Sequence, residues 1–321
     1  MPQAAVTVVE GPQGASKARS LMHVFIVGGT GVLGRSLIPL LIAQGHAVRL
    51  LARHPDTART IFGDAVEVAP GDLLASDAAS LVAALAGCDA AAHIATAIPR
   101  DFSAPGAWEV NTRLRTEGTR RLLDASLAAG VRHYAQESVV LAYPNGGDRW
   151  LDEATPLDDS PARADICAPV IAMEAMVRAA PTDRMAWCIL RAGRFVGPGT
   201  FQGSLIANLR AGKVTVPGDG SNWISPIHVA DMATAVALSL ASAPGGATFN
   251  VVAEPIREGD YDDRLAALLG VAPPPRDPAR LLPPSYRCAS DAARRQLGWT
   301  PTHSIWPAGL GPMIRDPSQR R

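Results

Sequence analysis

From residue 22 onward, short apolar runs alternate with longer stretches whose apolar residues recur every three or four positions. HVFIV (His23–Val27) is apolar and partly β-branched, the pattern of a buried parallel strand. A glycine-punctuated turn follows it, and then a helix to about Gln44 that Gly45 ends. AVRLLA (47–52), AVEVA (65–69) and DAAAHIA (89–95) read as further strands, with helices near 58–62 and 76–86 between them. A long helix over about 108–129 carries Leu114, Leu122, Leu123 and Leu127 at helical spacing, and Gly130 stops it. VRHYAQESV (131–139) and MAWCILR (185–191) complete the strand set.

Strand–helix units repeated in one direction predict an α/β fold, a Rossmann-type doubly wound parallel sheet with helices on both faces. After Arg191 the texture changes to Gly, Pro and short segments, with helices expected near 228–241, 260–269 and 289–297. The expected organisation is a disordered leader (1–21), a nucleotide-binding domain (22–190) and a smaller C-terminal lobe that mainly holds substrate (191–321).

Composition narrows the function classes. The 321 residues carry 30 Lys+Arg against 30 Asp+Glu, so bulk charge draws the protein neither to nucleic acid nor to an anionic membrane. No apolar run reaches the ~18–20 residues of a membrane span; SLIPLLIA (36–43) is a buried helix segment at most. Cys88, Cys167, Cys188 and Cys288 lack metal-ligand spacing and read as free thiols of a cytoplasmic protein, with no metal site.

The strongest local signal is VGGTGVLG, which follows the first strand and opens the first helix with Gly28, Gly31 and Gly34 three residues apart. One glycine permits the tight turn, one lets the backbone approach a pyrophosphate, and one lets helix and strand pack closely. The phosphates would then meet the free N–H groups and positive end of the helix, at Thr30, Gly31, Val32, Leu33 and Gly34. At the end of the second strand an NAD site usually offers a carboxylate to the ribose. Here LLARHPD puts Arg53 there, and a guanidinium suits the 2′-phosphate of NADP better than it suits NAD.

With these motifs the chain resembles the short-chain dehydrogenase/reductase superfamily, in its extended or atypical, epimerase/dehydratase-like branch, over nearly all of residues 22–300. The resemblance implies that GDL (Gly71, Asp72, Leu73) holds the adenine and that the fourth-strand end with Ile94, Ala95 and Thr96 lines the cofactor. RAGRFVGPG (191–199) resembles the family's loop after the sixth strand, with Ala192 in place of a usual proline, and IHVADMA (227–233), ATFNVV (247–252) and AARRQLGWTP (292–301) resemble its substrate-lobe markers.

The family protonates the product of hydride transfer with a tyrosine whose pKa is lowered by a lysine four residues on. The chain has only two lysines, Lys17 and Lys213, and neither follows a tyrosine at that spacing. Aligned by Glu174, the resemblance puts Ile166 at the tyrosine and Val170 at the lysine; aligned by Tyr143, it puts Val139 at the substrate-orienting hydroxyl. Pro169 further suggests that this helix starts late.

Ser138 and Tyr143 flank the expected site and are the candidate catalytic groups; a capped strand end and a packed aromatic are the alternative readings. Glu137 is either an acid of raised pKa or the partner of an arginine. Arg194, Phe195 and Trp223 are candidate substrate contacts, or else close the small lobe. Three functions follow: an NADP-dependent oxidoreductase acting on a small carbonyl or hydroxyl compound with a non-standard proton donor; a redox-neutral dehydratase, epimerase or cyclase; or a non-catalytic NADP-binding sensor. A homodimer is compatible with the sequence, though no apolar stripe compels it.

Overall fold

The structure is a computed structural model that describes residues 21–99 and 104–308; the expected leader, Leu21 apart, lies outside them. In chain order the first half runs β1 (His23–Val27), α1 (Val32–Ala43), β2 (Ala47–Ala52), α2 (Pro55–Phe62), β3 (Glu67–Pro70), α3 (Ala78–Leu85) and β4 (Ala90–His93). Then come α4 (Glu109–Arg113), α5 (Thr119–Ala129), β5 (His133–Val139), β6 (Trp150–Leu151), α6 (Ala164–Arg178) and β7 (Ala186–Ala192). The second half holds β8 (Arg194–Val196), α7 (Phe201–Arg210), β9 (Val216–Pro217), β10 (Trp223–Ile224), β11 (Pro226–His228) and α8 (Val229–Ser242). It ends with β12 (Ala247–Val251), β13 (Ile256–Arg257), α9 (Glu258–Leu269), β14 (Arg276–Asp277), β15 (Arg287–Cys288) and α10 (Asp291–Leu297).

Seven parallel strands form the central sheet in the order β12-β7-β5-β4-β1-β2-β3. Strand order reverses beside β1, which pairs β2 on one side and β4 on the other, and this is where a doubly wound sheet opens a crevice at its carboxyl edge. Side chains alternate between two cores. Val24, Ile26, Ala92, Ala135 and Leu190 pack with α1 and α8, while Phe25, Val27, Ala91, Tyr134 and Ile189 pack with α3 and α5.

Three expectations need revision. The strand at 247–251, read with the smaller lobe, is hydrogen-bonded to β7 as the seventh strand of the main sheet, and α8 packs against α1. The helix expected at 108–129 is broken by a π-helical turn, Leu114–Gly118. Gly118 brings the turn close to its neighbours: a Cβ there would lie 2.9 Å from Leu73 Cδ2 and 3.4 Å from His93 Nε2. Lastly, α6 does not start after Pro169; it begins at Ala164 and carries the proline within it. A 3-10 turn (Pro161–Arg163) leads into it, so the ring sits near the start of a longer helical run.

Among the described residues no helix is long and apolar enough to cross a membrane, and all four cysteines are free and buried.

Candidate active site

The turn between β1 and α1 is fixed by what its glycines exclude. Gly28 has φ +96°, and a Cβ on it would lie 2.6 Å from the Ala95 backbone. A Cβ on Gly34 would lie 2.1 Å from the Gly29 carbonyl oxygen, so helix and turn touch backbone to backbone. Gly31 is the exposed N-cap of α1 and offers no capping side chain. The first N–H groups of the helix, at Val32, Leu33 and Gly34, therefore keep no intrahelical acceptor and face the crevice mouth. Ala95 closes this turn from the β4 side, and Gly199, in the loop after β8, comes within contact of Val32. These residues fit a dinucleotide: a glycine cradle, an uncapped helix end and a crevice at the point of strand reversal.

Around this mouth Arg53 is exposed just beyond the end of β2, and no side-chain partner engages it among the described residues. Thr30 accepts a hydrogen bond from Arg35 Nε through its carbonyl (3.0 Å), which brings a second guanidinium to the turn. Asp72 accepts from the Leu74 N–H (2.9 Å), and the Ser76 hydroxyl accepts from the Asp72 N–H (3.1 Å), so the segment after β3 is a self-bonded turn with Leu73 buried. Ile94 is buried, Ala95 half-buried and Thr96 exposed, a gradient from core to crevice.

Val139, at the end of β5, and Ile166 and Val170, one turn apart on α6, come together in one apolar cluster with Ala142, Cys167 and Met173. The positions where the family would carry a hydroxyl, a tyrosine and a lysine thus hold aliphatic side chains in mutual contact.

Beside that cluster lies a buried polar network. The Ser138 hydroxyl donates to Glu174 Oε1 (2.7 Å). Arg191 donates from Nε to Oε1 (2.9 Å) and from Nη2 to Oε2 (2.7 Å) of the same carboxylate, and from Nη1 to the Tyr143 hydroxyl (2.6 Å). Tyr143 in turn meets the Asp152 carbonyl (2.7 Å) and Asn250 Oδ1 (2.9 Å). Burial works to raise the Glu174 pKa, but the hydrogen bonds and charge of Arg191 outweigh it and hold the carboxyl below its ordinary value. Burial pushes the Tyr143 hydroxyl well above the ordinary phenol range despite Arg191. Ser138 and Tyr143 are brought together with Glu174, both with no exposed surface.

The other candidates divide. Arg194 pairs with Glu258 (2.7 Å) and lies over the Tyr261 ring, Phe195 packs on the main core, and Trp223 donates to Asp148 (2.9 Å) between Arg257 and Arg287. His228 caps α8 by accepting from the Ala230 N–H and stacks on His303. His93 is buried with neither ring nitrogen bonded, and burial lowers its pKa to about 4. Glu137 is the residue whose surroundings sequence reasoning left open: no ion pair or hydrogen bond to its carboxyl exists among the described residues.

The chain belongs to the NAD dependent epimerase/dehydratase family, whose model matches residues 24–252. It is 34% identical to the 3-diazoavenalumate denitrifying reductase of a Streptomyces species, across 90% of this chain and 99% of that protein. The 2-alkyl-3-oxoalkanoate reductase of Stenotrophomonas maltophilia is 28% identical across 85% and 83%. Among solved structures, the dTDP-glucose 4,6-dehydratase DesIV of Streptomyces venezuelae, with NAD bound, superposes with a TM-score of 0.73 at 22% identity, covering 88% of this chain and 93% of that one. That likeness establishes the Rossmann-like fold.

Proposed function

We propose that the protein is an NADP-linked reductase whose acceptor is a small organic diazo compound. The observation that carries this reading is the cluster of Val139, Ile166 and Val170, which leaves no tyrosine–lysine relay for an alkoxide. Bound reduced nicotinamide would supply the hydride. Reduction of an uncharged diazo compound takes up one hydride and one proton, breaks the carbon–nitrogen bond, releases dinitrogen and leaves both hydrogens on the organic product. No oxyanion then has to be stabilised in the pocket. The full-length similarity to a denitrifying reductase supports the same class.

In this reading the α1 mouth holds the diphosphate, Arg53 receives the 2′-phosphate, and Asp72, Leu73, Ile94, Ala95 and Thr96 border the nucleoside and nicotinamide. Ser138 and Tyr143 hold β5, α6, β7 and β12 in register rather than delivering protons. Arg194, Phe195 and Trp223 shape the acceptor side. A second reading, carbonyl reduction with a substitute acid, is favoured by similarity to the oxoalkanoate reductase.

The test is NADPH oxidation and dinitrogen release with a panel of aryl diazo acids, set against 3-oxoacids. Stoichiometric NADPH loss and gas release with the diazo compounds is expected. Turnover of the oxoacids alone would replace this reading by the second. Tight cofactor binding with no turnover of either would remove both.

A further inference from the structure

The geometry points to Glu137 as the proton-carrying residue of this site, the carboxyl that stands in for the missing tyrosine; this rests on the proposed hydride-transfer function. Gln136 is in register with His93 of β4 and Glu137 with Leu190 of β7, so Glu137 lies level with Ile94. One residue beyond Ile94 is Ala95, whose backbone abuts Gly28 of the glycine turn. The alternation of β5 sends Ser138 toward Glu174 on α6 and Glu137 to the face shared with α1 and α8, the face of the diphosphate mouth.

There Glu137 is 93% buried (7% exposed), and among the described residues no hydrogen bond or ion pair engages its carboxyl. A buried carboxyl without a partner costs stability, so its retention calls for a use. The charged groups around it are committed. On the opposite face of the sheet His93 of β4 is held neutral, and Glu174 of α6 and Arg191 of β7 are bonded to each other. From the first turn of α8 comes Asp231, which accepts from Thr302 and His303, and before it His228, which caps that helix. The π-helical turn contributes Arg115, whose guanidinium contacts Met173 Sδ (3.8 Å) and acts on Glu137 only through its charge. Burial outweighs Arg115 and raises the Glu137 carboxyl to about 7, where it can both hold and release a proton at neutral pH.

The step balances as follows. A bound reduced nicotinamide would supply a hydride to the diazo carbon. The O–H bond of Glu137 breaks and its proton goes to that same carbon, while the carbon–nitrogen bond breaks and its electron pair leaves with dinitrogen. A carboxylate remains, which solvent reprotonates before the next turnover. The carboxylate matches the positive charge of an oxidised nicotinamide, whereas the neutral acid matches the reduced ring. Protonation of Glu137 and the redox form of the bound nucleotide are therefore linked.

The experiment measures Kd for NADP+ and NADPH by calorimetry between pH 5.5 and 8.5, in wild type and Glu137→Gln. In wild type, NADP+ should tighten by up to about tenfold per pH unit as pH rises toward about 7 and level off above it while NADPH does not tighten, and the variant should bind both without that difference. Infrared difference spectra of the wild type, which need no variant, should lose a protonated carboxyl band when NADP+ replaces NADPH. Equal pH profiles for both nucleotides, or an unchanged carboxyl band, overturn the role of Glu137 and leave the reductase reading standing. Failure to bind either nucleotide overturns the reductase reading itself.

Discussion

Arg191 on β7 and Glu174 on α6 face each other as a two-pronged ion pair, with Nε–Oε1 at 2.9 Å and Nη2–Oε2 at 2.7 Å, and neither side chain exposes more than 3% of its surface. Such a pair is costly to desolvate and costlier to break. Arg191→Met should therefore destabilise the fold by about 3–5 kcal/mol, because the carboxylate loses its principal partner. Replacing both residues by apolar ones should restore much of the loss. Urea titrations of the three variants read this out.

Glu174 also sets an acid limit. Its folded pKa lies below the ordinary glutamate value, so its contribution is present above about pH 4.5 and disappears as pH falls through the folded value. Wild type should lose stability below pH 4.5 more steeply than Glu174→Gln, as followed by thermal melts across pH 3–6.

Glu137 works in the opposite sense. Its pKa is raised from 4.5 to about 7, so the folded state holds its proton more tightly than the unfolded chain. The penalty for burying it grows from pH 4.5 to 7 and is complete above that, at about 3 kcal/mol. Glu137→Gln should consequently be more stable than wild type at pH 8.5, and the gap should close toward pH 5. Melting temperatures over that range measure it.

Tyr143→Phe removes a hydroxyl that Arg191 Nη1 donates to, leaving that N–H buried without its acceptor. The expected cost is about 1–3 kcal/mol in stability, with turnover changed by less than about tenfold. A loss of about 10²-fold in rate at unchanged stability would make Tyr143 the acid after all.

Arg53 is exposed just beyond β2, beside the proposed cofactor site. Arg53→Ala should weaken NADPH binding by about tenfold or more and leave NADH nearly unaffected, since a charged hydrogen bond is worth about 1.5–3 kcal/mol. Equal losses in calorimetry would remove it from the 2′-phosphate.

Much of the fold is legible in the sequence where a short apolar run ends at a glycine or polar turn. His23–Val27 and Ala47–Ala52 are predicted to the residue for that reason. Helix α7 has no such stripe: FQGSLIANLR mixes polar and apolar positions, and the one available signal is Thr200, whose side chain caps the helix by accepting from the Gln202 N–H. Pro169 misleads because its neighbours supply enough packing to keep it within α6. At the candidate site, the glycines disclose the tight turn between β1 and α1 because backbone clearance is written in residue type. The surroundings of Glu137 are not disclosed, because the chain has many arginines and only the tertiary arrangement determines that none of the described ones reaches its carboxyl.

The return of β12 to the main sheet ties the beginning and end of the chain together. A fragment stopped near Arg191 would bare the outer rim of β7 and strip α8 from α1, presenting sticky, unpaired backbone and an oily furrow to water. The proposed cofactor and acceptor sites thus belong to one melting unit, and neither half is expected to survive severance from the other.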